Sequence, residues 1–137
     1  MKDVTPSLLF ACALVLPVGA QTPPAEAPAV RPIEFPADAG DGQPREVKVL
    51  HDDPAVKLVT ITLRKGTVLP AHSAPVPVTI QALRGAGTIV IGDARHRLDA
   101  SHAIVLPAGT SHAVEPDAGT SMVVLVHHLG RAAATPR

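Results

Sequence analysis

The stretch Val59-Thr60-Ile61-Thr62-Leu63 puts three apolar side chains on one side of an extended chain and two threonines on the other. Successive side chains of a strand point to opposite faces, so this alternation predicts a β-strand with one face on a core. The same period of two runs through Glu46-Val47-Lys48-Val49, and the run Ile89-Val90-Ile91 ends at the turn pair Gly92-Asp93. Further turn signals stand at Asp52-Asp53-Pro54, Lys65-Gly66, Gly85-Ala86-Gly87, Pro107-Ala108-Gly109 and Asp117-Ala118-Gly119. No stretch after residue 45 carries an apolar stripe at helical spacing. Short strands at close intervals predict an all-β fold, a jelly-roll β-barrel over residues 45–130, with a flexible tail at 131–137.

Upstream of the barrel the composition changes twice. Lys2 is followed by an apolar run from Leu8 to Leu16, then Pro17 and the small residues Val18-Gly19-Ala20. This is the layout of a secretory signal peptide over residues 1–20, and it predicts an exported protein, periplasmic or secreted, cut near Ala20. The run is shorter than the roughly 20 apolar residues that span a bilayer, so no stable membrane insertion is expected after cleavage. Residues 21–44 are rich in Pro and Ala (Thr22-Pro23-Pro24-Ala25, Arg31-Pro32, Phe35-Pro36). Proline fixes φ and donates no backbone hydrogen bond, so this segment reads as an extended linker that adds little to folding.

At 137 residues the chain has room for one compact domain. Twelve Lys plus Arg balance twelve Asp plus Glu, which leaves no basic field to collect phosphates and argues against nucleic acid as a partner. The only aromatic residues, Phe10 and Phe35, precede residue 45, so the barrel has an aliphatic core and no stacking platform for bases or sugars. Cys12 is the single cysteine and lies in the apolar leader, which excludes disulfides and thiol chemistry from the exported form.

Two segments carry a resemblance. Gly66, His72 and Gly85, within Gly66-Thr67-Val68-Leu69-Pro70-Ala71-His72 and its continuation, resemble the first cupin motif. Pro107, Gly109 and His112, within Ser101 to Pro116, resemble the second, with the Gly92-Asp93 hairpin between the two. The chain is thus similar to a small single-domain cupin over residues 45–130. The resemblance implies a jelly-roll barrel with His72 and His112 turned into its pocket. It also implies a divalent ion, Fe, Mn, Ni, Cu or Zn, held by four motif residues. Two of those positions are here Ala74, in place of the second histidine, and Val78, in place of the glutamate.

Two neutral imidazoles hold borderline metals weakly, so a bound metal would need a further donor. His127, His128 and His96 are the candidate third ligands, with Gln81 behind them, and strand alternation turns only one of His127 and His128 inward. His51 and His102 read as solvated turn residues. Asp52, Asp53, Asp93, Asp99, Glu115 and Asp117 fall at turns or on outward positions, and no acid and base pair emerges, so proton transfer would fall to histidine. No serine nucleophile motif is present, and catalytic residues are not assignable. Three functions remain open. One is a noncatalytic module binding a small molecule in an aliphatic pocket with histidine anchors, with or without a divalent ion. A second is a metal-dependent oxygenase or isomerase using His72, His112 and a third histidine. The last is a structural module that pairs as a homodimer through an exposed strand.

Overall fold

The computed structural model describes residues 14–15, 18–22 and 29–130. Most of the expected signal peptide, residues 23–28 of the linker and the tail at 131–137 lie outside the described residues. The chain divides into two units, Met1–Arg31 and Pro32–Arg137. In the first, the described residues have no regular secondary structure, and Leu14, Val15, Val18 and Val30 are exposed.

The second unit is all β among its described residues. Its strands are β1 Arg45–Asp52, β2 Val56–Leu63, β3 Leu69–His72, β4 Val78–Arg84, β5 Gly87–Ile91, β6 Ala94–Leu98, β7 Ala103–Leu106, β8 His112–Pro116 and β9 Met122–Leu129. They form a five-stranded sheet in the order β1-β2-β9-β4-β7 and a four-stranded sheet in the order β3-β8-β5-β6. Every pairing is antiparallel. The expected alternation of β2 is present: Val59, Ile61 and Leu63 enter the core opposite Val126, Val124 and Met122 of β9. From the other sheet come Leu69, Ile89, Leu98 and Val114. The core is wholly aliphatic apart from the Met122 thioether. Fully burying one such side chain contributes about 1.5–3 kcal/mol, so several together outweigh any single polar contact in the domain.

Gly85 and Gly87 let the chain turn from one sheet to the other at close quarters. Gly85 has φ of 69°, and a side chain there would strike the Ser121 carbonyl oxygen. A side chain at Gly87 would strike the Glu115 carbonyl oxygen. Only glycine fits where backbone approaches backbone in this way.

The end of the proline-rich segment differs from a bare tether. Arg64, just past β2, is 8% exposed, and its guanidinium donates to the carbonyl oxygens of Ala39 and Gly40 and, at 2.6 Å, to that of Gln43. It also pairs with Glu46 at 2.7 Å and holds that carboxyl below its ordinary pKa. Arg84 donates to the Ala37 carbonyl. Arginine alone has five donors in a fixed fork that can serve several carbonyls at once, so residues 37–44 are fastened to the barrel instead of spacing it. Deleting residues 1–36 should therefore leave the melting temperature nearly unchanged. Arg64→Ala should lower stability by about 2–3 kcal/mol, because hydrogen bonds to a charged group are worth roughly 1.5–3 kcal/mol and the stranded carbonyls lose their donor. Chemical denaturation of the two variants checks both halves of the expectation.

Candidate functional site

His72 ends β3 and His112 opens β8, and the antiparallel register places them directly opposite each other. Their ring centroids are 4.4 Å apart with the planes tilted by 53°. His72 Nδ1 lies 2.8 Å from the Pro70 carbonyl and His112 Nδ1 lies 2.9 Å from the Thr110 carbonyl. A carbonyl oxygen only accepts, so Nδ1 carries the proton in each neutral ring and Nε2 is left as a bare acceptor. His72 is exposed at the rim, whereas His112 is 3% exposed.

A third imidazole joins them. His128, on β9 opposite Lys57 of β2 and Val78 of β4, lines the same cavity as His72 and His112. The rest of that lining is Ile61, Leu69, Val78, Ile80, Val114, Val124 and Val126, and the cavity measures about 40 Å³. His128 Nδ1 is buried without a hydrogen-bond partner, and the Lys57 backbone engages the ring. His127 points the other way and bonds Thr79 Oγ1 at 2.9 Å through Nδ1. His96 shares the face of Ile89 but stands exposed on the edge strand β6, and neither it nor Gln81 lines the cavity. Of the candidate third histidines, His128 is therefore the one brought to the pair.

Burial pushes the His112 imidazole below its ordinary pKa, the Thr110 carbonyl opposes this, and the charge of a protonated His72 would reinforce it. Burial also lowers His128, through loss of solvent, with the Lys57 charge acting in the same direction and the Lys57 backbone and Asp52 against it. Both rings are thus kept neutral by an apolar surrounding that solvates imidazolium poorly.

Among the described residues no group of three or more His, Cys, Asp or Glu side chains is placed to hold an ion. Val78, 2% exposed, sits in the cavity wall where the first motif would supply its anionic ligand, and Ala74 packs against the core instead of offering a second nitrogen. A divalent ion here would have no counter-charge among the lining residues. Three neutral imidazoles are a donor set that borderline metals accept, so the cavity differs from the full motif chiefly in lacking its anionic ligand.

The remaining histidines and acids have local roles. His51 is tied to Asp53 at 2.7 Å, and Asp53 is held down to about 2, first by the Val56 backbone and then by His51. His102 bonds Asp99 at 2.7 Å within its turn. Sequence reasoning missed one element of the site. Asp52, Asp53 and Lys57, with Pro75, Val76, Gly130 and His128, line an outer depression of about 300 Å³. His128 belongs to both this depression and the inner cavity. The signal was present in the hairpin turn Asp52-Asp53-Pro54, whose register brings Lys57 back beside Asp52.

Comparison with known proteins places the architecture. An RmlC-like cupin from Desulfovibrio desulfuricans is 28% identical over 63% of this chain and 84% of its own, with a TM-score of 0.53. A cupin superfamily protein from Desulfitobacterium hafniense is 18% identical over 76% of this chain and 94% of its own, with a TM-score of 0.61. KdgF from a Halomonas species is 21% identical over 67% and 86%, with a TM-score of 0.55. No protein-family model and no curated protein sequence matches the chain.

The depressed pKa values fix how the domain responds to acid. A histidine whose pKa is lower folded than unfolded stabilises the fold fully above the unfolded value of about 6.5, and that contribution is lost as pH falls below it, because the unfolded chain takes up the proton first. The melting temperature should therefore fall as pH drops below about 6.5. In His112→Asn the slope of that fall should be shallower. Thermal melts at stepped pH read both slopes.

Proposed function

This chain carries a cupin jelly-roll domain, and from that premise we propose that it binds a small uncharged molecule bearing hydrogen-bond donors, held by His72, His112 and His128 at the aliphatic cavity. One observation carries the reading: three imidazoles line a single apolar cavity with two of the ring protons turned to backbone carbonyls, so that bare nitrogens are what a ligand meets. No Lys or Arg lines the inner cavity, so its bare acceptors disfavour carboxylates and phosphates there. These acceptors favour hydroxyl or amide N–H groups, while the Val, Ile and Leu walls favour a short apolar body.

Size sets the affinity. A cavity of about 40 Å³ admits only the end of a small molecule, far from the roughly 300–1,000 Å³ of pockets that enclose drug-sized ligands. At a ceiling of about −1.5 kcal/mol per heavy atom, a four-atom ligand reaches roughly −6 kcal/mol, which corresponds to a dissociation constant of tens of micromolar at best. The outer depression beyond His128 supports a longer ligand whose polar part stays outside. Delivery outside the cytoplasm by the leader at residues 1–20 belongs to the same proposal. The metal-dependent oxygenase or isomerase is the weaker alternative, because the valine and alanine at motif positions remove half of its ligand set.

Nitrogen-15 spectra of the histidine rings test the binding reading. Short-chain alcohols and amides should shift the Nε2 resonances of His72 and His112 saturably, and matched carboxylates should not. His72→Ala and His112→Ala should each weaken binding at least tenfold. Equal response to carboxylates, or no saturable response to any of these probes, would overturn the proposal. Zinc titration gives the converse check: the native chain should show no tight stoichiometric site, and Ala74→His with Val78→Glu should create one.

A further inference from the structure

A second cavity lies at the end of β2 remote from the histidines. His128 stands opposite Lys57, near the start of β2, whereas Met122 stands opposite Leu63 at its end. At about 3.3 Å per residue the strand from Lys57 to Leu63 covers roughly 20 Å. Beyond Leu63 the clamped segment and the turns after β2 and before β9 border a cavity of about 210 Å³. Its wall includes Asp41 from the segment, Arg64 and Lys65 from the first turn, and Ser121 from the second.

This wall offers groups that the fold does not use. The Arg64 guanidinium carries five N–H groups. Nε faces the Ala39 and Gly40 carbonyls, Nη2 serves Ala39 and Glu46, and Nη1 donates once, to Gln43. The second N–H of Nη1 has no acceptor among the described residues. Ser121 Oγ accepts from the Lys65 amide at 3.0 Å, which leaves its hydroxyl proton to give. Lys65 and Asp41 line the same cavity, yet neither forms an ion pair with the other or with any other described residue.

The backbone at Lys65 points the same way. Its φ is 51°, and among the described residues no other side-chain-bearing residue has a positive φ. With Gly66 at 74° it occupies the centre of a turn that the Thr67 amide closes on the Arg64 carbonyl at 3.0 Å. Glycine would take that position without strain, so the turn does not account for a lysine there.

We propose that this cavity binds a small zwitterion of the α-amino acid class. Its carboxylate lies toward Lys65, the remaining Nη1 donor of Arg64 and the Ser121 hydroxyl, and its ammonium lies toward Asp41. Charge selects that class. Glu46 already offsets Arg64 at 2.7 Å, so the cavity presents one further cation, Lys65, and one anion, Asp41. A simple anion would be drawn by Lys65 and repelled by Asp41, and a simple cation would meet the reverse. A molecule carrying both charges satisfies each through charge-assisted hydrogen bonds and brings no net charge of its own. Size limits the side chain: the cavity is smaller than the roughly 300–1,000 Å³ of pockets for drug-sized ligands, which suits glycine or alanine. The site is separate from the histidine cavity, and its failure would leave the binding proposal there standing.

Amide spectra of the whole chain, titrated at low salt to limit screening, test the assignment with glycine, L-alanine, acetate and methylammonium. Glycine and alanine should shift the amides of Gly42, Lys65, Gly66 and Ser121 saturably, and acetate and methylammonium should bind weaker by about tenfold or more. Lys65→Gln and Asp41→Asn should each weaken glycine by a similar factor. Both variants remove charges that have no partner in the fold, and circular dichroism checks that each is folded. His112→Ala should bind glycine as the native chain does. Four results would each overturn the proposal. They are no saturable response to glycine or alanine, acetate or methylammonium binding as tightly as glycine, unchanged glycine affinity in either folded charge variant, and loss of the glycine response in His112→Ala, which would place the amino acid among the histidines.

Discussion

The insertion of β9 between β2 and β4 is the constraint on which the rest of the domain depends. The strand pairs residue for residue with β2, from Leu63 opposite Met122 to Val56 opposite Leu129, and with β4 on its other side. Side-chain direction in a strand alternates strictly, so this register alone sends Met122, Val124, Val126 and His128 to the core side. A slip by one residue would remove His128 from the cavity and put His127 in its place. β9 is also buried on both faces, since Val123 and Leu125, on the side away from the core, are 0% and 3% exposed. β9, the last of the described strands, must therefore find β2 and β4 before the core can close. Such non-local pairing is the slow kind of folding event.

An aliphatic core gives the histidines their character. With no Tyr or Trp in the barrel, no phenol or indole group is available to bond the imidazoles across the interior. His72 and His112 turn instead to the carbonyls two residues before them, Pro70 and Thr110. Each ring is thereby fixed by its own strand and keeps its tautomer whether or not the cavity is filled. Gly109, whose amide donates to the Ala74 carbonyl at 2.8 Å, ties the loop before β8 to the loop after β3 and keeps the two rings in register. The glycine and proline signals of the two motifs thus serve to bring His72 and His112 face to face.

The fold was legible in the sequence because its information is local. The alternation of Val59 to Leu63, the Gly92-Asp93 hairpin and the two histidine-bearing motifs each reveal themselves within a few residues. What could not be read locally was set by pairing between distant strands. The choice of His128 over His127 depends on the parity of β9 against β2 and β4, which no single strand displays. Arg64 is likewise unremarkable in sequence, since its role appears only where the backbone of residues 39–43 returns over it. The proline-rich composition around it suggested a spacer because composition reports what a segment can bury, and it says nothing about carbonyl oxygens offered to a buried guanidinium. Asp52 and Asp53 looked like turn residues, and they are. Their place at the mouth beside His128 follows from the length of β1 and β2, not from the turn itself.

Protons and ligand compete for the same atoms in this site. The nitrogens that would accept a hydrogen bond from a ligand, Nε2 of His72 and His112, are also those that take up a proton in acid. Protonating one ring places a charge 4.4 Å from its neighbour in a cavity without a carboxylate in its wall, so the second proton is harder to add than the first. A neutral donor brings no charge, and it satisfies lone pairs that the Val and Ile walls cannot. By mass action, a ligand that binds only the neutral His112 ring lowers its pKa further and opposes the loss of stability in acid. Valine at position 78 therefore decides the chemistry of the cavity: a carboxylate there would recruit cations and hold the imidazoles charged, whereas an apolar wall keeps them as neutral acceptors.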